Sequence, residues 1–224
     1  MRNILCLESS ALFCSVALGI DGECESFVQS NEKMNHGKEI TLLIDNCLNK
    51  TELQLSNLDA IAVSSGPGSY TGLRIAFSCA KGLCFALGIP LIGIDTLAAI
   101  VNRVYTSDHS YYHYIPLIDA RRKEVYYSIY NSNFEVVSEV DNKILDENSF
   151  IEFENVLFCG DGAEKAKDIL KHKGAEYDIH PPVAKYMVSL TDSKFRNNAF
   201  EDSAYFNPIY HKLPNITKSK KALF

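Results

Sequence analysis

A glycine-rich segment, set between an apolar run and a long apolar helix pattern, is the part of this sequence best suited to chemistry. It comprises Gly66, Pro67, Gly68, Ser69, Tyr70, Thr71 and Gly72, with Arg74 two places further on. Glycines allow unusual backbone angles and close backbone approach, and the following helix offers free N–H groups at the positive end of its dipole. The functional interpretation is an anion or phosphate site. No Gly-Lys-Ser/Thr follows, so the segment is not a P-loop, and glycine spacing by itself favours a tight strand-to-helix turn.

Signatures of hydrolytic and metal-dependent enzymes are missing from the sequence. It contains neither His-Glu-x-x-His nor Gly-x-Ser-x-Gly. The seven cysteines form no Cys-x-x-Cys pair, and most lie inside apolar runs. Such cysteines are typical of small core residues in a reducing compartment. We therefore predict a cytoplasmic protein without a disulfide scaffold or a zinc ribbon.

The charge balance limits the partners. The formal charge is −6, whereas affinity for nucleic acid comes largely from cations that neutralise phosphates. Local patches are the exception, and two stand out in the sequence: residues 121–123, which are Arg-Arg-Lys, and the tail with Lys212, Lys218, Lys220 and Lys221. Solvated surface charge is the favoured interpretation of both, so we expect no tight RNA binding by this chain alone. No stretch approaches the roughly 18 to 20 apolar residues of a membrane span.

Periodicity predicts two successive groups of elements that would position the glycine-rich segment. The first group has strands at 4–7, 13–20, 23–29, 58–64 and 90–94, and helices from Asn35 or His36, at 71–87 and at 97–105. The second has strands at 114–118, 124–130, 134–140 and 156–159 and a helix at 163–171, with no helix that can be placed before Val156. The helix at 71–87 is apolar nearly all round, which predicts burial on every side. A polar break falls at 106–109.

The order of strand, hairpin, and strand–glycine turn–helix therefore occurs twice. A duplicated β-β-β-α-β-α unit is what ribonuclease H-like, actin-type folds use. We predict an α/β protein with two ribonuclease H-like lobes, at residues 1–108 and 109–224.

Three strings carry a resemblance to a known family. Residues 59–75 read DAIAVSSGPGSYTGLRI, residues 80–90 read AKGLCFALGIP and residues 118–126 read IDARRKEVY. The first two closely resemble the signature of the TsaB family, and the third matches every fixed position of that family's DARRxEVY string. Close likeness covers residues 4–100, 116–130 and 159–163, while the remaining C-terminal part is only loosely similar.

The resemblance implies a fold, partners and a role. TsaB proteins belong to the actin/Hsp70-like (ASKHA) group of folds and support the synthesis of threonylcarbamoyladenosine at position 37 of tRNA. They pair with the catalytic subunit TsaD, and the ATPase TsaE joins the assembly. TsaB proteins are therefore expected to contact tRNA only indirectly, through the complex. They are regarded as non-catalytic and self-associate as homodimers when TsaD is absent. Older descriptions call them glycoproteases.

Residues of this chain test the implied absence of catalysis. TsaD-like catalytic relatives hold a metal with a His-x-x-x-His pair, whereas His36 is followed four places on by Ile40, which cannot coordinate a metal. Actin-type ATPases place an Asp-x-Gly turn after their first strand, where this chain has Glu8 followed by Ser-Ser-Ala. Residues 160–162, Gly-Asp-Gly, could correspond to the place where such folds hold adenosine, yet they also suit a turn and helix start. We expect no metal, no cofactor and no peptidase activity.

The resemblance places the helix that begins near His36 at the contact with TsaD. The expected interface residues are His36, Glu39, Ile40, Leu43, Ile44 and Cys47. On this interpretation, Leu43→Glu weakens the heterodimer and leaves the fold intact. An amphipathic helix also often faces the core of its own domain, and both interpretations stay open, as do a docking arm or a loose end for the tail at 205–224.

The sequence thus predicts a non-catalytic subunit of the tRNA N6-threonylcarbamoyladenosine synthesis complex that supports TsaD together with TsaE. The alternative is an independent ATP-binding enzyme of the actin-like superfamily.

Overall fold

Two five-stranded sheets form the framework of the protein. The structure, a computed structural model, describes residues 1–105 and 110–212. The first sheet contains β1 (Asn3–Glu8), β2 (Ser15–Ile20), β3 (Glu23–Gln29), β4 (Ala60–Gly66) and β5 (Leu91–Asp95), in the order β3-β2-β1-β4-β5. β1 runs antiparallel to β2 and parallel to β4, and β4 runs parallel to β5. These strands follow the predicted ones closely, and the predicted bounds of β3 are confirmed.

The second sheet repeats this arrangement. It contains β6 (His113–Asp119), β7 (Glu124–Asn131), β8 (Val136–Ile144), β9 (Val156–Cys159) and β10 (Glu176–Asp178), in the order β10-β9-β6-β7-β8. β6 runs antiparallel to β7 and parallel to β9, as β1 does to β2 and β4. In both sheets the strand that comes first in the chain lies in the middle. This repetition confirms the predicted α/β fold with two ribonuclease H-like lobes.

Five α-helices accompany the sheets in the described part of the chain. They are α1 (His36–Asn49), α2 (Tyr70–Leu87), α3 (Thr96–Tyr105), α4 (Gly162–Ile169) and α5 (Val188–Arg196), with short 3-10 turns at Leu55–Asn57 and Ala184–Met187. Gly88 ends α2 in the left-handed conformation at φ 65°, as predicted for a C-terminal cap. Residues 145–155 form turns rather than a counterpart of α1, which fits their weak periodicity. The predicted polar break at 106–109 lies outside the described residues. None of the helices described is long and apolar enough to cross a lipid bilayer.

Both faces of the first sheet are covered. Leu5 and Leu7 of β1 pack with α1 and α2 on one face, while Ile4 and Cys6 pack on the other face with residues that come late in the chain, among them Met187. Successive side chains of a strand point to opposite faces. A strand covered on both faces must therefore be apolar at every position, which explains the continuous apolar run of β1.

α2 is covered on one side only. Ala76, Phe77 and Ala80 are buried, but Ser78 is exposed and Phe85 is 91% exposed. The prediction that this helix is buried all round is therefore wrong. The apolar composition of α2 is real, but α1 and the sheet cover only the face that points toward them, and the opposite stripe is left open.

The chain returns from the second lobe to the first after β10. The turn Ala184–Met187 and α5 pack against β1 and β2, and residues 201–212, called the strap below, continue along the first lobe. The strap begins where the N–H of Glu201 donates to the carbonyl of Leu91, at 2.8 Å. The described residues before 106 thus contain the first sheet and those after 109 contain the second, while residues 184–210 pack on the first lobe from the second half of the chain.

Candidate functional site

The glycine-rich segment joins β4 to α2. Gly66 has a φ of 112°, a region that favours glycine. Ser69 caps α2, since its side-chain oxygen accepts a hydrogen bond from the N–H of Gly72 at 3.2 Å. The segment is therefore built as a strand-to-helix turn with its own cap.

Close packing against the chain between β1 and β2 closes the segment from the other side. The N–H of Ser69 donates to the carbonyl of Ser10 at 2.7 Å, and the hydroxyl of Ser9 donates to the carbonyl of Gly72 at 2.8 Å. A Cβ on Gly68 would lie 2.4 Å from Cβ of Ser10, and a Cβ on Gly72 would lie 2.0 Å from the carbonyl oxygen of Ser9. The glycines therefore admit the protein's own backbone. Of the two interpretations left open by the sequence, this geometry supports the tight turn rather than the phosphate site.

Glu8 places a buried carboxyl group, and no phosphate-binding donor, at the adjoining end of β1. Its side chain is 0% exposed, and one carboxyl oxygen accepts the N–H of Ser10 at 2.5 Å. Burial raises the pKa of Glu8, an effect that hydrogen bonds from Ser10 and Ser64 only partly offset. A polyphosphate placed here would meet a buried carboxyl group instead of the donors and glycines that bind phosphates elsewhere.

His36 belongs to the same packed region. The ring is buried at the first residue of α1, and its Nε2 lies 3.0 Å from the carbonyl oxygen of Ala11. A carbonyl only accepts, so Nε2 carries the proton. Burial lowers the pKa of His36, which favours the neutral ring. Within residues 1–105 and 110–212, no cluster of three or more His, Cys, Asp or Glu side chains is placed to hold a metal ion.

The corresponding glycines of the second lobe are explained in the same way. A Cβ on Gly160 would lie 2.4 Å from the carbonyl oxygen of Leu117, and one on Gly162 would lie 2.9 Å from the carbonyl carbon of the same residue. Asp161 between them accepts the N–H of Asp119 at 3.2 Å, and burial raises the pKa of Asp161 to about 6. Residues 160–162 thus form a turn and helix start packed on β6, and neither glycine requires a ligand there.

The predicted interface residues of α1 mostly face the core of their own lobe. Five of the six are buried, namely His36, Ile40, Leu43, Ile44 and Cys47, and the sixth, Glu39, is partly exposed. Leu43 is 6% exposed and packs in the first-lobe core. The expectation that Leu43→Glu leaves the fold intact is therefore wrong, because the substitution would bury a carboxylate among apolar side chains.

A shallow depression of about 520 Å³ runs between α1 and α2 on the outer side of the first lobe. It is lined by Gly37, Ile40, Tyr70, Thr71, Arg74, Ile75 and Ser78. Of the predicted residues, the structure thus brings Ile40, Tyr70, Thr71 and Arg74 together here. The guanidinium of Arg74 donates to the hydroxyl of Tyr70 at 2.5 Å.

The exposed stripe of α2 continues from this depression. It consists of small or polar residues and ends in an aromatic one: Thr71, Arg74, Ser78, Gly82 and Phe85. These positions are three or four residues apart, so they lie on one face of the helix. A Cβ on Gly82 would meet no atom within 4 Å. The stripe therefore offers a partner helix a close approach at Ser78 and Gly82 and an aromatic anchor at Phe85.

The strap borders this surface, and the sequence did not predict its role. Phe206 packs on Phe77 with ring centroids 5.2 Å apart, and the ammonium of Lys81 donates to the carbonyls of Ala204 and Phe206, both at 3.0 Å. Tyr210 lies against Tyr70 at 4.8 Å. Lys81, a cation among the apolar residues in the second half of α2, is a sequence signal that could have indicated a polar contact with another segment.

Comparison with known proteins gives the family. The family model described as "TsaD: tRNA N6-adenosine threonylcarbamoyltransferase" matches residues 28–222. The "tRNA threonylcarbamoyladenosine biosynthesis protein TsaB" of Haemophilus influenzae is 30% identical over an alignment 224 positions long, which covers 94% of this chain and 94% of that protein.

Solved structures agree with this result. "YeaZ from Pseudomonas aeruginosa" is 25% identical with a TM-score of 0.82, covering 94% of this chain and 100% of that one. An inorganic polyphosphate/ATP-glucomannokinase from Arthrobacter sp. strain KM shares the fold alone, at 7% identity and a TM-score of 0.51, over 89% of this chain and 99% of that one. The chain therefore belongs to the TsaB family, within the group of sequences that the TsaD model matches.

Proposed function

We propose that this chain is a non-catalytic subunit of the tRNA N6-threonylcarbamoyladenosine synthesis complex, in which it binds the catalytic subunit TsaD together with the ATPase TsaE. Membership of the TsaB family supports the process. The match to the TsaD model supports a partner of related fold, able to present a similar helix pair.

The open stripe of α2 carries the proposal. It runs beside the α1–α2 depression from Thr71 to Phe85, and Phe85 at its end, which is 91% exposed, is an aromatic side chain that a partner would bury. Small residues at Ser78 and Gly82 allow a partner helix to pack within the usual 8–10 Å between helix axes. The interface residues predicted on α1 then contribute mainly by holding α1 beside this stripe, with Ile40 lining the depression and Glu39 partly exposed.

The closed glycine-rich segment supports the non-catalytic part of the proposal. The backbone of Ser9 and Ser10 occupies the space next to Gly68 and Gly72, and the nearby buried side chain is the carboxyl group of Glu8. An independent ATP-binding enzyme, the alternative, would require donors and open glycines at this place.

The same face explains the homodimer that we propose for the isolated chain. A two-fold contact buries the same patch on both copies, so α2 would pack on α2. TsaD then competes with the second copy for one surface.

Ser78→Arg tests this proposal. The long side chain would fill the depression on the exposed face of α2, where it costs the fold little, so we expect binding to the cell's own TsaD to weaken roughly tenfold or more. Ser193→Arg is the matched control, because it places the same side chain on the exposed face of α5. Calorimetric titration with TsaD gives the affinities, and light scattering gives the oligomeric state, which should fall to monomer in Ser78→Arg alone.

Two results would count against the proposal. One is TsaD binding by Ser78→Arg as tight as that of Ser193→Arg, which would place the interface elsewhere. The other is Mg²⁺-dependent ATP turnover by the isolated chain, which would favour the independent enzyme.

A further inference from the structure

A strained turn between β6 and β7 of the second lobe exposes two arginines that are not part of the proposed docking surface. Arg121 and Arg122 lie between β6 and β7 with φ values of 72° and 53°. This left-handed region favours glycine and asparagine. Both side chains and that of Lys123 are exposed. The chain therefore holds two arginines outward at positions where backbone preference favours smaller residues.

The acidic side chains on either side of the turn are already neutralised. Asp119 accepts from the ammonium of Lys165 at 2.6 Å. Glu124 accepts a hydrogen bond from the ammonium of Lys212 at 2.5 Å. This contact is the main cause of the lowered pKa of Glu124. Across the described ranges, no acidic side chain forms an ion pair with residues 121–123. The charges of these three residues are thus uncompensated.

The strap brings a second basic segment to the same place. Its last described residues contact β7, with the ring of His211 6.4 Å from that of Tyr126 and Lys212 on Glu124. The sequence then continues with Lys218, Lys220 and Lys221, which lie outside the described residues. The described end of the strap therefore lies against β7, beside the turn, which composition alone does not reveal.

A neighbouring acidic depression limits how an anion can approach. It is lined by Asp119, Asp161, Glu164, Lys165, Asp168 and Ile169. A polyanion is repelled there, so contact is confined to the turn and the strap end.

We propose that residues 121–123, called the basic turn below, bind the phosphodiester backbone of an RNA held by the complex. The inference rests on the proposed function, since that function makes tRNA the RNA in question. Arginine guanidinium groups pair with phosphate oxygens in a fork geometry, and such contacts position a nucleic acid without reading its sequence. The net charge of −6 fits a chain that adds affinity to a complex rather than binding RNA tightly alone.

The test is the affinity of the TsaD complex of this chain for an unmodified tRNA transcript, measured by fluorescence anisotropy over a range of salt concentrations. For Arg121→Gly/Arg122→Gly we expect affinity to fall roughly tenfold or more near 0.15 M salt, and the slope of log affinity against log salt to become shallower by about 1 to 2. Lys33→Ala/Lys173→Ala is the control, since it removes the same charge at exposed positions elsewhere. It should leave both values unchanged.

The two proposals fail in distinguishable ways. If the wild-type chain forms no complex with TsaD, the proposed function is wrong. If the complex forms and the basic-turn variant binds tRNA with wild-type affinity and salt slope, the inference alone is overturned. It is equally overturned if the variant loses TsaD or TsaE instead of tRNA, because the turn would then contact an acidic protein surface.

Discussion

Replacing Gly72 by alanine perturbs the place where the glycine-rich segment meets the chain after β1. A Cβ there would lie 2.0 Å from the carbonyl oxygen of Ser9 and 3.1 Å from Cδ2 of His36. The first of these contacts is with backbone, and the hydroxyl of Ser9 is itself bonded to Gly72. Neither segment can withdraw without breaking that hydrogen bond. We expect the free energy of unfolding to fall by about 3 kcal/mol or more, which lowers Tm by roughly 6–12 °C in a protein of this size.

Gly82→Ala is the matched control in the same helix. No atom lies within 4 Å of a Cβ at this position, and alanine is favoured over glycine in a helix by about 0.5–1 kcal/mol. Thermal and urea unfolding of the purified variants, followed by circular dichroism, should show Gly82→Ala slightly stabilised and Gly72→Ala strongly destabilised. A Gly72→Ala protein as stable as wild type would mean that the segment has free space, as an open ligand cradle would, and the packing argument would be refuted.

Three further predictions concern other parts of the structure. Burial raises the pKa of Glu8 above its ordinary value of 4.5, so the stability of the wild type falls as pH rises from that value through the folded-state pKa. Glu8→Gln should therefore be more stable than wild type at pH 8. In melting curves recorded at different pH values, the difference should vanish near pH 4. Phe206→Ala removes the ring that packs on Phe77 and covers Gly93, which should cost about 2 kcal/mol for this partly buried site and speed hydrogen exchange along the strap; unchanged exchange would show that other contacts hold it. Arg122→Gly, at φ 53°, should melt at or above the wild-type temperature because glycine relieves the left-handed strain, and a clear loss of stability would contradict that strain.

Local patterns explain why the sheets could be predicted. Apart from β3, each strand of the first lobe is an apolar run closed by a turn, and the pairing of β1 with β2 and β4 follows from their order and short connections. The duplicated order then predicted four strands of the second sheet, including β9 with its observed bounds, Val156–Cys159, but it did not predict β10. The glycine-rich segment was found by its composition, but whether its glycines faced a ligand or the protein depended on Ser9 and Ser10, which are distant in sequence.

Coverage of surfaces could not be predicted, because it depends on long-range contacts. The apolar composition of α2 suggested burial on all sides, yet only its sheet-facing side is covered, and Phe85 is left in solvent. Periodicity in α1 identified its apolar stripe, but that stripe lies mostly in the core. The return of α5 and the strap to the first lobe has no local signal beyond Lys81, whose ammonium binds strap carbonyls.

Reconstituted threonylcarbamoylation of tRNA by TsaD and TsaE, with an activated threonylcarbamoyl donor supplied to every sample, tests most directly whether this chain supplies a docking surface and no chemistry. The assay compares the wild-type chain, Ser78→Arg, Ser193→Arg and no added chain. We predict modified tRNA with wild type and Ser193→Arg, little with Ser78→Arg, and none without the chain or with the chain alone. Full modification in its absence, or modification by the isolated chain, would contradict the account.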